Sequence, residues 1–288
     1  SISGNTQPLW IVDGVPINTA ANENNSFIEG NITPTRSLDI DPNNIENISI
    51  LRGLSATTLY GSAGRNGVIL VTTKGAASGK SDGKFSGSVS HSLNTINAIV
   101  PEYQNVWANG FDGVYGEFFS NWGSLFEIYK AGDQTGFRHP YYEHRALFPE
   151  NPEFADASTY VPQAYPNNVK DFFRQGLSNN TSVNLGMRGA KMSFNTNYSH
   201  LDESGYIMNN NLLRDNFNIG GNAKLTKKLS VTGTFNYVKT NFKSPPSGAG
   251  YGSNAGGGPS VFANIFYTPR NLDLMGWPYQ NPVTGASV

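Results

Sequence analysis

The sequence predicts a mainly β protein: a small α+β unit first, then the amphipathic strands of a transmembrane antiparallel β-barrel. Three observations carry this. Five segments after residue 84 alternate apolar and polar residues with a period of two, giving each strand one oily and one wet face. Charged residues are only 14% of the 288, and Asn, Gly, Ser and Thr abound; such a composition suits strands and turns better than helices. No apolar run reaches the roughly 18 residues of a membrane helix, whereas a spanning strand needs only about 9–11.

The first unit covers residues 1–76. Leu9, Trp10, Ile11 and Val12 form a short buried strand that ends in the turn Asp13-Gly14. Residues 18–36 read as a loop. Asp41-Pro42 is a helix-start signal, but only a turn follows, because Ile48, Ile50 and Leu51 open the next strand. Residues 55–60 give one or two turns of helix, stopped by Gly61. Gly64 and Gly67 frame a further turn, and Val68 to Val71 is the most apolar strand. Residues 48–51 are expected to pair with 68–71, with the helix as crossover. Residues 77–83 are a flexible linker.

Residues 84–288 hold the alternating strands. Segment one sets Phe85, Val89 and Leu93 against Ser86, Ser88, Ser90 and Ser92. Segment two sets Val183, Leu185 and Met187 against Ser182, Asn184 and Arg188. Segment three sets Met192, Phe194 and Tyr198 against Ser193, Asn195 and Asn197. The fourth and fifth follow the pattern with Phe217 and Ile219, then Val231, Phe235 and Tyr237. A soluble sandwich alternates in the same way. Two features favour a membrane wall. No Lys, Arg, Asp or Glu falls on the five apolar faces, where a midplane Arg or Lys costs about 2–4 kcal/mol; His91 alone is out of keeping. Connections also alternate: tight turns at 188–191 and 226–228, longer ones over 94–178, 201–213 and from 241 onward. Tyr198 and Tyr237 then fall near the long-loop end, where an aromatic girdle belongs. A compact unit followed by such hairpins points to a plugged pore.

A net charge of −1 leaves no basic footprint for nucleic acid. Cysteine is absent, so disulfides and Cys metal sites are excluded. Gly61, Gly64 and Gly67 match neither the dinucleotide fingerprint nor a P-loop, and read as turn glycines. Asp39, Asp41, Asn43 and Glu46 lack the spacing of a calcium loop and read as capping. His139 and His144, near Glu143, lack a convergent third ligand. No nucleophile elbow or acid pair appears, so no catalytic residue and no cofactor is expected. The aromatic stretch 103–129, with Trp107, Phe111, Tyr115, Phe118, Phe119 and Trp122, either contacts a ligand or protein lid, or packs on itself. Arg52 and Arg65 are expected to pair with a barrel wall.

These residues resemble the SusC/RagA family of TonB-dependent outer-membrane transporters. The run Pro-Leu-Trp-Ile-Val-Asp-Gly-Val-Pro at 8–16 is similar to a mid-plug strand. Ile40 to Ile48 followed by Leu51-Arg52-Gly53 is similar to the next plug segment, and Leu59-Tyr60-Gly61-Ser62 with Asn66 to Gly75 to the plug ending. Asn168 to Gly176 and Tyr267 to Leu274 are similar to segments farther on. The resemblance implies a barrel of 22 strands, of which about five are present, and a chain corresponding to the second half of a plug plus the first barrel strands. It marks Asp13, Gly14, Arg52, Gly53, Tyr60, Gly61, Gly64, Asn66 and Gly67 as plug signature. It implies an outer-membrane location, import of oligosaccharides or peptides, and TonB, a SusD-like surface lipoprotein and outer-membrane lipid as partners. Two other readings stand beside it: a SusC-like barrel serving as a structural subunit among other envelope-complex proteins, and a soluble secreted β-sandwich enzyme or adhesin.

Overall fold

The structure is a computed structural model that describes residues 7–17, 40–74, 83–116, 120–130, 137–245 and 261–286. The predicted loop at 18–36, the linker at 77–82, Asp39, Phe118 and Phe119 lie outside these residues. The chain divides into two compact units: one of residues 1–27, 31–96 and 175–245, and one of 28–30, 97–174 and 246–288.

The first unit contains two sheets. The smaller has the order β2-β1-β4-β3, with β1 Leu9–Val12, β2 Val15–Ile17, β3 Ile45–Leu51 and β4 Val68–Thr73. β1 and β2 form a hairpin through Asp13 and Gly14, with φ of 51° and 86°. Both angles lie in the left-handed region that Asp and Gly tolerate and that a two-residue hairpin turn demands. β1 runs parallel to β4, with Ile11 opposite Leu70. β3 pairs with β4 as expected from residues 48–51 and 68–71, but antiparallel, with Ile48 opposite Val71. Helix α1 (Leu54–Tyr60) is therefore a simple connection rather than a crossover, which only parallel neighbours need. It lays Ala56 on Ile11 and Val68, with Leu9, Leu51, Tyr60 and Leu70 around them.

The larger sheet has five strands in the order β11-β10-β9-β8-β5: β5 Phe85–Ile96, β8 Gly176–Arg188, β9 Met192–Ser204, β10 Asn211–Lys224 and β11 Ser230–Lys243. All pairs are antiparallel. The strands are longer than the alternation alone indicates, so the connection between β9 and β10 shrinks to residues 205–210. Lengthening also carries Asp202, Asp215 and Lys239 onto the apolar-face parity. The expectation that this face holds no charge stands from Tyr198, Phe217 and Tyr237 toward the tight turns and fails beyond them.

The burial of this sheet is inverted. On its inner strands Ser182, Asn197, Ser199, Asn216 and Asn218 are all at most 2% exposed, whereas Met192, Tyr198 and Phe217 are between 38% and 51% exposed. A soluble sandwich buries its oily face and wets its polar one. The soluble-sandwich reading is overturned on this ground, and the sheet is of the membrane-barrel kind, whose apolar face looks outward.

The second unit is built from the connection between β5 and β8 and from residues 261–286. It holds the hairpin β6 (Gly110–Phe111) and β7 (Val114–Tyr115), helices α2 (Phe126–Lys130), α3 (Asn168–Phe172) and α4 (Val261–Phe266), and two 3-10 turns, Tyr142–Leu147 and Pro152–Ala155. Ala108, Phe126 and Tyr129 form its core, against Tyr115, Phe137 and Ala164.

Candidate functional site: the seam between the sheets and the aromatic loop unit

The small sheet stands on the polar face of the large one. Arg188, the last residue of β8, has inward parity and lies 3.7 Å from the Glu46 carboxylate of β3. A cavity of about 590 Å³ lies between the sheets, lined by Asp13, Asp41, Asn44 and Thr73 on one side and Asn216, Thr234 and Asn236 on the other. A second of about 280 Å³ lies beside Glu46, Lys74 and Arg188, under Ser86, Asn184 and Asn195. On the small-sheet side Val12, Val15, Ile17, Ile40 and Ile45 also line the larger cavity, so the seam sets a polar wall face against a mixed one. Among the described residues, the side-chain oxygens of Asn195, Asn197, Asn216 and Asn218 are buried without a protein hydrogen-bond partner. An unpaired buried acceptor costs about 1–3 kcal/mol unless water reaches it, so this face suits a wet seam and not a dry core.

Asp13 fastens the small sheet from within. Its carboxylate accepts hydrogen bonds from the Thr73 backbone N–H at 2.8 Å and from the Thr73 hydroxyl at 2.7 Å. Its own N–H donates to the Val71 carbonyl. The turn of the β1–β2 hairpin is thereby tied to the end of β4, at the edge of the larger cavity.

The other predicted signature residues gather around α1 and β4. Gly53 and Gly61 bracket the helix, and Tyr60 packs on its core. A Cβ on Gly64 would stand 2.6 Å from the Ala56 carbonyl oxygen, so glycine alone lets the turn close under the helix. Asn66 donates to the Gln7 carbonyl, and Gly67 accepts from Leu9 N–H. Together they build the sheet. Arg52 and Arg65 are exposed and make no ion pair among the described residues; the pair to the wall is Glu46–Arg188. In the sequence only the wet-face position of Arg188 hinted at this.

The second unit divides the predicted aromatics. Tyr115 packs inside, 4.5 Å from Phe137 and 5.9 Å from Tyr129 between ring centres. Trp107 is half-buried, its N–H and C=O held by the Gln104 amide. Phe111 and Trp122 stay exposed and meet edge to face at 5.2 Å. So, among the described residues, the stretch packs on itself apart from the exposed pair Phe111 and Trp122.

Two clusters were missed from sequence. His139 is buried in a box of rings, 4.8 Å from Phe154, 4.8 Å from Tyr160 and 4.7 Å from Trp277. Its Nδ1 accepts the Tyr141 N–H. Burial holds its pKa below the ordinary value, only partly offset by Glu153 and Asp156, and burial also pushes the Tyr160 hydroxyl up. Glu143, the metal-ligand candidate beside it, bonds Arg138. The second cluster is the segment around Arg270. The Asn168 side-chain amide donates to the Leu272 carbonyl and accepts from the Leu274 N–H. Asn271 accepts from Asn109 N–H, and Arg270 N–H donates to Asn121. The Arg270 guanidinium is fully buried, 4.5 Å over the Tyr103 ring, and burial lowers its pKa. The signal was the Thr-Pro-Arg-Asn run, which no local period explains.

Comparison with known proteins agrees with this architecture. Residues 1–68 match the model of the TonB-dependent receptor plug domain. The chain is 26% identical over 241 residues to TonB-dependent receptor P26 of Formosa agariphila, covering 82% of this chain and 20% of that protein. It is 34% identical over 93 residues to TonB-dependent receptor SusC of Bacteroides thetaiotaomicron, covering 32% of this chain and 8% of that protein. Among solved structures it is similar to the RagAB peptide importer in the closed-closed state, with a TM-score of 0.56 and 16% identity over 93% of this chain and 27% of that one. The chain thus spans at most about a fifth of the length of these curated relatives. A small sheet seated on the polar face of an outward-oily antiparallel sheet, with these matches, makes the chain similar to the SusC/RagA-like TonB-dependent receptors.

Proposed function

We propose that the chain is part of an outer-membrane importer in which the small sheet is a plug and the large sheet part of the barrel wall. On this reading the plug ends near residue 76, residues 77–83 tether it, and the barrel begins near residue 84. The observation that carries the proposal is the seam: the small sheet sits on the polar face of the large one, through Glu46–Arg188 and two cavities. A seam with cavities and a polar wall face lets a plug shift without opening an apolar core. TonB would supply the pull, and a SusD-like lipoprotein would capture oligosaccharides or peptides at the surface. Asp13, Gly14, Gly53, Tyr60, Gly61, Gly64, Asn66 and Gly67 hold the plug together, and Arg52 lies exposed on it. Phe111 and Trp122, with Trp107 and Tyr115 behind them, meet substrate or lipoprotein.

The test is uptake of labelled oligosaccharides and labelled peptides by cells with the intact gene, with and without a protonophore. Energy-dependent uptake of one class, reduced by Phe111→Ala with Trp122→Ala, supports import. Absence of uptake, with the barrel still assembled in an envelope complex, supports the structural-subunit reading instead.

A further inference from the structure

We propose that the lipid–water boundary on the long-connection side crosses the sheet along one register row, His91, Thr181, His200, Asp215 and Lys239, and that this row meets lipid headgroups. The inference rests on reading the sheet as a membrane wall.

The row is continuous in register. His91 is opposite Thr181, Thr181 opposite His200, His200 opposite Asp215 and Asp215 opposite Lys239. All five have the parity of the outward face. His91 Nδ1 lies 2.9 Å from the Thr181 hydroxyl, and His200 Nδ1 lies 2.8 Å from the Asp215 carboxylate. The Asp215 and His200 side chains are nearly half exposed, so the row is open to its surroundings.

The next row toward the tight turns is Val89, Val183, Tyr198, Phe217 and Tyr237. From there to Met192, Ala223 and Val231, no outward position carries a charge. The Tyr198 hydroxyl donates to Asp215 across the step, as an interfacial tyrosine does with its ring in oil and its oxygen toward water. Height agrees as well. Lys239 lies ten positions beyond Leu229, which is about 34 Å along a strand. At a tilt of 35–45° that is about 26 Å, near the roughly 25 Å of a barrel's apolar band. His91, out of keeping on an apolar strand face, is thus in place. Imidazole and ammonium groups at this level donate to headgroup phosphates, whereas hydrocarbon itself offers them no acceptor.

The chain has no cysteine, so single cysteines carry a nitroxide cleanly. In the intact receptor in phosphatidylcholine vesicles, labels at Val183, Phe217 and Phe235 should relax with oxygen, and labels at Thr181 and Lys239 with a water-soluble nickel chelate. Making His200, Asp215 and Lys239 all leucine should move the crossover outward by about one row, roughly 5 Å in depth. A crossover elsewhere than between these two rows, or none of that shift, overturns the proposal while leaving the wall reading intact. Nickel access at all five sites overturns the wall reading itself. Protection from both agents at all five puts a protein on this face and overturns the headgroup assignment.

Discussion

Replacing Asp13 with alanine should loosen the plug sheet and leave the wall untouched. In the structure its carboxylate takes two hydrogen bonds from Thr73, at 2.8 and 2.7 Å, while its backbone sits at φ 51°. Hydrogen bonds to a charged group contribute about 1.5–3 kcal/mol. Two bonds sharing one carboxylate are not additive, so about 2–3 kcal/mol is taken for the pair. Alanine in the left-handed region costs about another 1 kcal/mol. The sum, about 3–4 kcal/mol, corresponds to roughly 100- to 1000-fold faster hydrogen exchange at β4 amides, at 1.4 kcal/mol per factor of ten. Asp13→Asn keeps the turn conformation and one acceptor, and should cost about 1 kcal/mol. The assay is exchange mass spectrometry on peptides containing Val71 and Thr73, with β9 and β10 as internal controls. Equal protection in the alanine and asparagine variants, or an equal loss in β9 and β10, would refute the reasoning.

Other outcomes follow from the same geometry. Phe235→Arg, on the outward face, should destabilise folding into vesicles by about 2–4 kcal/mol in a urea titration, while Thr232→Arg on the inward parity should cost far less. Arg270→Met should leave the thermal stability of the loop unit within about 1 kcal/mol or raise it, because Nε and Nη1 are buried without partners among the described residues; Arg270→Ala, which leaves a void, should cost about 2–4 kcal/mol. His139 is neutral in the fold, with its pKa lowered below 6.5 chiefly by burial. Its contribution is therefore present above that value and lost as pH falls from it toward the lowered value, since the unfolded chain binds the proton first. Trp277 fluorescence followed through acid unfolding should show this loss, and His139→Phe should flatten it.

What the sequence made legible was whatever local periodicity encodes. Strict alternation marked all five long strands and their wet faces, and the Asp13-Gly14 turn and the stop at Gly61 were visible because left-handed backbone demands those residues. Strand ends were less legible. Alternation of oil and polar breaks at His200, Asp215 and Lys239, yet pairing continues past them, because backbone hydrogen bonds do not depend on side-chain polarity. The direction of burial was not legible from alternation alone, since a sandwich and a barrel wall share it. Arg52 and Arg65 drew attention as charges in an apolar unit, but among the described residues the ion pair to the wall is Glu46–Arg188, far apart in sequence. The Asn168, Asn271 and Arg270 cluster was hidden for the same reason: its bonds span about a hundred residues and leave no local pattern.

The most direct test of the plug on the wall is a thiol-to-thiol crosslink between cysteines placed at Glu46 and Arg188 of the intact receptor. The account predicts that the pair crosslinks in resting cells and that uptake then stops, returning when a cleavable linker is cut. Uptake that continues with the two positions joined would contradict a plug that must leave this seam.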